Sequence, residues 1–101
     1  MDKKKQNMDF ADEHLKMLAK RFKILSEVSR MKILRTLFPG EKCVTDIINA
    51  TGLLQANVSK QLKILESDNV VYCRPQGLQR FYSVADPTVL VICNELVDSR
   101  K

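Results

Sequence analysis

The chain contains five segments in which apolar residues recur every three or four positions among polar ones. Because this spacing places apolar side chains on one face of a helix, each segment predicts an amphipathic helix. Residues that end or begin helices separate the segments: Pro39-Gly40, Gly52, Asn69 and Asp86-Pro87. The predicted helices cover approximately residues 10–25, 29–38, 43–50, 54–68 and 86–97.

Between the fourth and fifth helices the pattern changes to alternation, which is typical of strands. Residues 70–74 and 79–84 alternate around the loop Pro75-Gln76-Gly77-Leu78, and glycine in so short a loop predicts a hairpin. The third and fourth helices are joined by a turn that contains Gly52, which indicates a helix-turn-helix, although an ordinary helical hairpin has the same pattern. The order predicts a mainly α winged helix-turn-helix: four helices, a two-stranded wing and a fifth helix.

The composition is that of one globular domain. The 101 residues are 45% hydrophobic and 29% charged, and this length suits a single core. Residues 1–8 are polar, so we expect a disordered tail followed by one domain over residues 9–99. The longest apolar run, Val89–Cys93, is far shorter than the roughly 20 residues that span a bilayer. The N-terminus lacks the apolar region of a secretory signal. We therefore expect a soluble, cytoplasmic protein without membrane contact.

The net charge and the cysteines limit the kinds of partner and site that the protein can have. The net charge of +5 is spread along the chain, so it supports a nucleic-acid partner only weakly. Cys43, Cys73 and Cys93 are odd in number and lie 30 and 20 residues apart, which favours free thiols over a disulfide framework. Because there is no C-x-x-C and only one histidine, His14, a zinc finger is excluded.

Three segments carry motifs of a known family. Residues 25–34 (LSEVSRMKIL) are similar to a helix of pattern L-x-x-x-x-R-x-x-I-L, and residues 58–65 (VSKQLKIL) to a recognition helix of pattern V-S-x-H-L-x-x-L. Residues 71–84 look like a wing of pattern V-x-x-R…G-R-x-x-Y-x-L. In this order they resemble the ArsR/SmtB family of winged helix-turn-helix repressors, over residues 10–98. Gln61 stands where that family usually has His.

The resemblance implies that the fourth helix enters the major groove of double-stranded DNA. Gln and Asn can pair bidentately with adenine, and Lys contacts guanine or phosphate. On this helix the candidate DNA-binding residues are Gln55, Asn57, Ser59, Lys60, Gln61 and Lys63. On the wing they are Arg74, Gln76, Gln79 and Arg80. The wing residues could instead only keep an exposed hairpin edge soluble.

The first and last helices have more apolar surface than one small domain can bury, and the resemblance implies a homodimer formed through them. The candidate interface residues are Phe10, Leu18, Phe22, Val89, Ile92 and Val97. A two-fold axis would place two recognition helices about one DNA turn, roughly 34 Å, or a multiple apart, so the operator is expected to be an imperfect palindrome. Pairing also doubles the formal charge from +5 to +10.

Members of this family release DNA when a metal, a metalloid or a reactive sulfur species binds. Residues 41–47 look like the arsenic-type motif C-V-C-D-L, but Thr45 replaces its second cysteine. Residues 86–98 contain no histidine, so the ligand set of the zinc-sensing members is missing. The favoured hypothesis is a thiol switch between Cys43 and Cys93. The alternative is a metalloid or soft metal on Cys43, with Cys93 or Cys73. The cysteines could also be purely structural.

Two other classes of function fit less well. A small thiol enzyme needs a cysteine beside a base or partner thiol, and the sequence has neither a Cys/His pair nor a phosphate loop. His14 lies on the apolar side of the first helix. A helix-turn-helix used only for protein association would show no specific, salt-sensitive DNA binding. We therefore expect a non-enzymatic repressor.

Overall fold

The computed structural model describes residues 10–99 and has the predicted order of helices, with one additional strand. The predicted tail, residues 1–8, lies outside the described residues. The elements are α1 (Asp12–Ile24), α2 (Val28–Leu37), β1 (Lys42–Cys43), α3 (Val44–Thr51), α4 (Gln55–Ser67), β2 (Val71–Gln76), β3 (Gln79–Val84) and α5 (Thr88–Asp98). The mainly helical winged helix-turn-helix fold is thus confirmed.

The ends of the helices follow from local chemistry. Gly52 ends α3 with φ 73° and Asn69 follows α4 with φ 61°, a left-handed conformation that glycine and asparagine adopt most easily. The carboxylate of Asp86 accepts a hydrogen bond from the Thr88 backbone N–H at 3.0 Å. Asp86 therefore binds the first turn of α5, but the predicted assignment is shifted by one residue: Pro87, not Asp86, is the N-cap, and α5 begins at Thr88.

The sheet has three antiparallel strands in the order β1-β3-β2. Strand β1 contains only two residues and pairs with Phe81 and Tyr82 of β3. The sequence pattern assigned Cys43 to the start of the third helix, because two residues are too few for a strand to show alternation. In the structure Cys43 ends β1 and is the N-cap of α3. The extra strand ties the wing to the helix-turn-helix.

The core lies where α2, α3 and α4 cross and where the inner face of the sheet packs on them. Its fully buried side chains are Ile33, Leu34, Leu37, Ile47, Val58, Leu62, Leu65 and Val71, with Val70, Tyr82 and Val89 nearly buried. The prediction that Val89 lies in the dimer interface needs correction. Val89 is only 5% exposed in a single protomer, because its position in the first turn of α5 packs against this core.

Helices α1 and α5 leave large apolar side chains in solvent. No residue of α1 is buried, and Phe10 and Phe22 are about half exposed. Val97 near the end of α5 is also more than half exposed, whereas Leu18 and Ile92 are half-buried. Exposed apolar side chains on both helices agree with the expectation that these helices contact a partner. Among residues 10–99, no helix is long and apolar enough to cross a bilayer.

Candidate nucleic-acid interface

The N-terminal half of α4 presents a polar edge to solvent. Gln55, Ser59, Lys60 and Lys63 are exposed along this edge, while Val58, Leu62 and Leu65 on the opposite face are buried in the core. The core contacts therefore fix which side of the helix faces outward. Four of the six predicted residues on this helix lie where a partner molecule can reach them.

The wing lies directly beside this edge. A cleft of about 250 Å³ separates the start of α3 from α4 and β3. Gln55 and Ser59 line it on the α4 side, and Gln79 and Arg80 line it on the wing side. The structure therefore brings together predicted residues of both elements around one cleft. Thr45 of α3 also lines this cleft, although its position in the sequence does not predict DNA contact.

Two of the predicted base-reading residues contact each other instead of solvent. Gln61 is only 7% exposed, and its Nε2 donates to Oδ1 of Asn57 at 2.9 Å. Asn57, half-buried, directs Nδ2 toward the Ser29 hydroxyl of α2 at 3.5 Å. The expectation that Gln61 lies on the DNA-facing surface is wrong, because its position one turn after Asn57 faces α2. The contacts with Gln61 and Ser29 hold the Asn57 amide in the groove between α4 and α2, so it is less available for bidentate pairing with adenine than an exposed side chain.

Arg74 on the wing is held by neighbouring side chains. Its Nε and Nη2 each lie 2.8 Å from a carboxylate oxygen of Glu41, which is the bidentate geometry that guanidinium favours. Its Nη1 donates to Oε1 of Gln76 at 2.6 Å, and the guanidinium stacks 4.9 Å from the Phe81 ring centre. Glu41 could not be identified from the sequence, since a partner 33 positions away leaves no local signal.

The Glu41–Arg74 pair has a measurable acid–base consequence. The hydrogen bonds from Arg74 lower the pKa of the Glu41 carboxyl below its usual range. In NMR titrations we expect Glu41 to have a lower pKa than the same residue in the Arg74→Ala variant. The pair contributes to stability at pH values above the unfolded-state pKa, and this contribution is lost as the pH falls through the folded-state pKa. Equal pKa values in the two proteins would contradict the assignment.

Arg80 lies on the opposite face of the wing from Arg74. Its Nη1 donates to the Cys73 sulfur at 3.7 Å, and Cys73 is paired across the strands with Tyr82. Burial, more than any other factor, raises the pKa of the Tyr82 hydroxyl, and the contact with Cys73 raises the pKa of Arg80, so both keep their protons. Arg80 therefore brings a permanent positive charge to the cleft beside α4.

The three cysteines occupy separate places. In a sheet, directly paired residues share a face and consecutive residues alternate. Cys73 pairs with Tyr82, whereas Cys43 pairs with Phe81, so these two thiols lie on opposite faces. Cys93 lies between α2 and α5, where burial raises the pKa of its thiol. Within residues 10–99 of one protomer, no three His, Cys, Asp or Glu side chains form a metal-binding group. A site of three thiolates therefore does not fit one protomer.

A helix-turn-helix with an exposed polar edge and a hairpin beside it defines the winged helix-turn-helix class of DNA-binding fold. The arsR family of bacterial regulatory proteins matches residues 27–72, which contain α2, α3 and α4. Together with the relatives described next, this match shows that the chain belongs to the ArsR family of transcriptional regulators.

Known relatives cover most of the chain. The transcriptional repressor SmtB homolog of Synechocystis is 33% identical over 86 residues, which cover 85% of this chain and 65% of that protein. The chain thus spans slightly less than two thirds of that relative's length. The cadmium resistance transcriptional regulatory protein CadC homolog of Staphylococcus aureus is 34% identical over 82 residues, which cover 80% and 68% of the two chains.

A solved structure shares the architecture. The homodimeric winged helix-turn-helix DNA-binding domain from Mycobacterium bovis, a possible ArsR-family transcriptional regulator, superposes with a TM-score of 0.76 at 28% identity. The superposition covers 91% of this chain and 88% of that one. The similarity therefore extends beyond the helix-turn-helix to α1 or α5, since residues 27–84 alone would not cover so much of the chain.

Proposed function

We propose that this protein is a homodimeric, sequence-specific DNA-binding repressor that an inducer releases from its operator. The observation that carries the proposal is the cleft between α4 and the wing, where Gln55 and Ser59 face Gln79 and Arg80. In this arrangement α4 enters the major groove with Lys60 and Lys63 along its exposed edge, and the wing contacts the adjacent backbone. The palindromic operator remains a prediction from the two-fold symmetry.

Dimerisation is supported by the exposed apolar side chains of α1 and α5. Phe22 is 52% and Val97 54% exposed in the isolated protomer, which favours burial against a second copy. The homodimeric state of the Mycobacterium bovis domain points the same way. Five of the six predicted interface residues remain in this proposal: Phe10, Leu18, Phe22, Ile92 and Val97.

The test of DNA binding is a gel-shift titration with the region upstream of the protein's own coding sequence. A repressor is expected to give a specific shift that weakens steeply as salt increases, because binding releases counterions from the phosphates. A scrambled fragment of the same composition is the control. If both fragments shift equally, or neither does, the proposal of a sequence-specific repressor fails.

For the inducer, we propose a thiol-reactive species that acts at Cys43. This residue is half-buried, joins β1 to α3 and lines the cleft between α4 and the wing. Its side chain shares a face of the sheet with Phe81, so an adduct on its sulfur would lie at the junction of β1 and α3, beside the proposed DNA-binding surface. Cys93 lines a different cavity that shares no residue with this cleft, and burial raises the pKa of its thiol, which lowers the fraction in the reactive thiolate form. The Cys43–Cys93 switch is thus less well supported than modification at Cys43.

The Cys43→Ser variant is expected to bind the operator normally and to lose inducer-dependent release, while Cys73→Ser and Cys93→Ser keep it. Mass spectrometry after treatment with tetrasulfide, diamide or arsenite identifies the chemistry. Diamide is reduced to its hydrazine as two thiols lose two protons and two electrons and form a disulfide. An arsenite adduct that requires Cys43 would support the metalloid alternative. Release that survives in Cys43→Ser would contradict the proposed role of this thiol.

A further inference from the structure

A second cavity lies away from the DNA-binding face, between α2 and α5. It has a volume of about 430 Å³, which is within the range of small-molecule sites. We call it the α2–α5 groove. Met31 of α2, Phe38 at the C-terminal end of that helix and Leu90 of α5 form its apolar floor, and all three are partly buried. Val28 and Val97 lie at its exposed rim.

Two cations lie along this apolar floor. Lys32 and Arg35 are one helical turn apart on α2, and both line the groove. None of the residues that line it is acidic. Within residues 10–99 neither cation forms an ion pair, in contrast to Arg21, Arg30 and Arg74, each of which lies within 4.0 Å of a carboxylate. The groove therefore combines apolar surface with two positive charges that have no ion-pair partner among residues 10–99.

The α5 side of the groove adds no negative charge. Its polar residues are Cys93 and Asn94. Burial raises the pKa of the Cys93 thiol, which keeps it neutral at physiological pH. The amide of Asn94 can donate or accept a hydrogen bond. A ligand in the groove would thus meet neutral groups on one wall and two cations on the other.

We propose that the α2–α5 groove binds a small organic anion with an apolar body, such as a medium-chain carboxylate. The chain or ring would cover Met31, Phe38 and Leu90, and this burial of apolar surface favours binding. The carboxylate would lie near Lys32 and Arg35, where a charge-assisted hydrogen bond to guanidinium is strongest. A neutral ligand of the same length would gain only the apolar contribution.

Such a ligand would contact both the helix that supports the DNA-binding surface, α2, and the helix of the proposed dimer interface, α5. Helix α2 packs against α3 and α4 of the DNA-binding half, while α5 carries exposed residues of the proposed dimer interface. Occupation of the groove would therefore change the angle between them, and with it the separation of the two recognition helices. This regulatory consequence rests on the proposed DNA-binding function, whereas ligand binding itself does not depend on it.

The test uses the full chain without DNA, titrated with octanoate and followed by amide chemical shifts in NMR. We expect shifts centred on residues 28–38 and 90–97, with binding about tenfold tighter than that of 1-octanol, which is the ratio that one charge-assisted hydrogen bond supplies. Acetate, which lacks the apolar body, is expected to bind much more weakly. Equal binding of octanoate and 1-octanol would overturn the proposal. So would shifts centred on a separate cavity of about 270 Å³ that Leu18 of α1 and Ile92 of α5 line.

Charge-removing variants make the test specific. Lys32→Gln combined with Arg35→Gln is expected to abolish the preference for octanoate over 1-octanol, and Lys23→Gln on exposed α1 is expected to keep it. Absence of octanoate binding to the wild type, including the case in which a second protomer covers the groove, would also overturn the proposal. Because no DNA is present, a negative result here leaves the operator-binding test independent.

Discussion

Replacing Lys60 with alanine is expected to weaken operator binding by about 100-fold and to leave folding unchanged. The side chain is exposed on the polar edge of α4, so it makes no core contact whose removal would destabilise the protein. Its ammonium would contact a phosphate or a guanine edge. A hydrogen bond of a charged group contributes about 1.5 kcal/mol, and the variant dimer would lack two, which together correspond to a factor of about 100.

Fluorescence anisotropy with labelled operator measures this effect. Lys23→Ala is the matched control, because it removes the same charge from the exposed surface of α1. If both variants lose affinity equally, net charge alone governs binding and α4 has no special role. If Lys60→Ala binds like the wild type, a different surface contacts the DNA. If Lys60 binds a phosphate, the slope of log affinity against log salt is also expected to fall by about one for each phosphate that the variant no longer neutralises.

Replacing Phe22 with glutamate is expected to convert the dimer to a monomer. Burial of a phenylalanine contributes about 1.5–3 kcal/mol, and a two-fold symmetric dimer buries one Phe22 from each protomer. A buried, unpaired carboxylate adds a desolvation penalty. We therefore expect dimerisation to weaken by more than about 100-fold, with a corresponding loss of operator affinity, because a monomer contacts only one half-site.

Sedimentation velocity at micromolar concentration distinguishes the two states. Tyr72→Glu is the matched control, since Tyr72 lies on β2 and has the same 52% exposure as Phe22. The control is expected to stay dimeric. A dimeric Phe22→Glu protein with normal operator affinity would show that α1 lies outside the interface. Monomers formed by both variants would indicate a general loss of structure instead.

The sequence predicted the helices well because their boundaries depend on local chemistry. Gly52 and Asn69 adopt the left-handed conformations that end helices, and Asp86 accepts the hydrogen bond that starts α5. Strand β1 could not be predicted in this way, since its two residues are extended only through pairing with β3. Val89 was assigned to the dimer interface because periodicity identifies an apolar face but not the element that covers it.

The proposed DNA-binding surface could be predicted only in part from the sequence. Lys60, Lys63 and Arg80 are exposed where their positions in the motif suggested. The contact of Gln61 with Asn57 and that of Glu41 with Arg74 depend on how elements meet in space. Residue types alone cannot show whether a polar side chain is free for DNA or already paired within the protein. In the structure, Lys60 and Arg80 are therefore better candidates for DNA contact than Gln61 and Arg74.

The positions of Cys43 and of the α2–α5 groove suggest two different ways in which the protein could respond to a signal. Cys43 borders the cleft between α4 and the wing, and its modification would disturb the junction of β1 and α3 beside the proposed DNA-binding surface. The α2–α5 groove lies away from that cleft and borders α5, where a ligand would act through the relation between protomers. The Cys43→Ser variant tests the first route, and the Lys32→Gln/Arg35→Gln variant tests the second.

Amide chemical-shift mapping of the protein with its operator shows whether α4 and the wing form one DNA-binding surface. We predict that the largest shifts fall on residues 55–63 of α4 and residues 76–80 of the wing, with a stoichiometry of two protomers per palindrome. Shifts concentrated on α1 and α5, or a complex in which residues 55–63 stay unchanged, would contradict it.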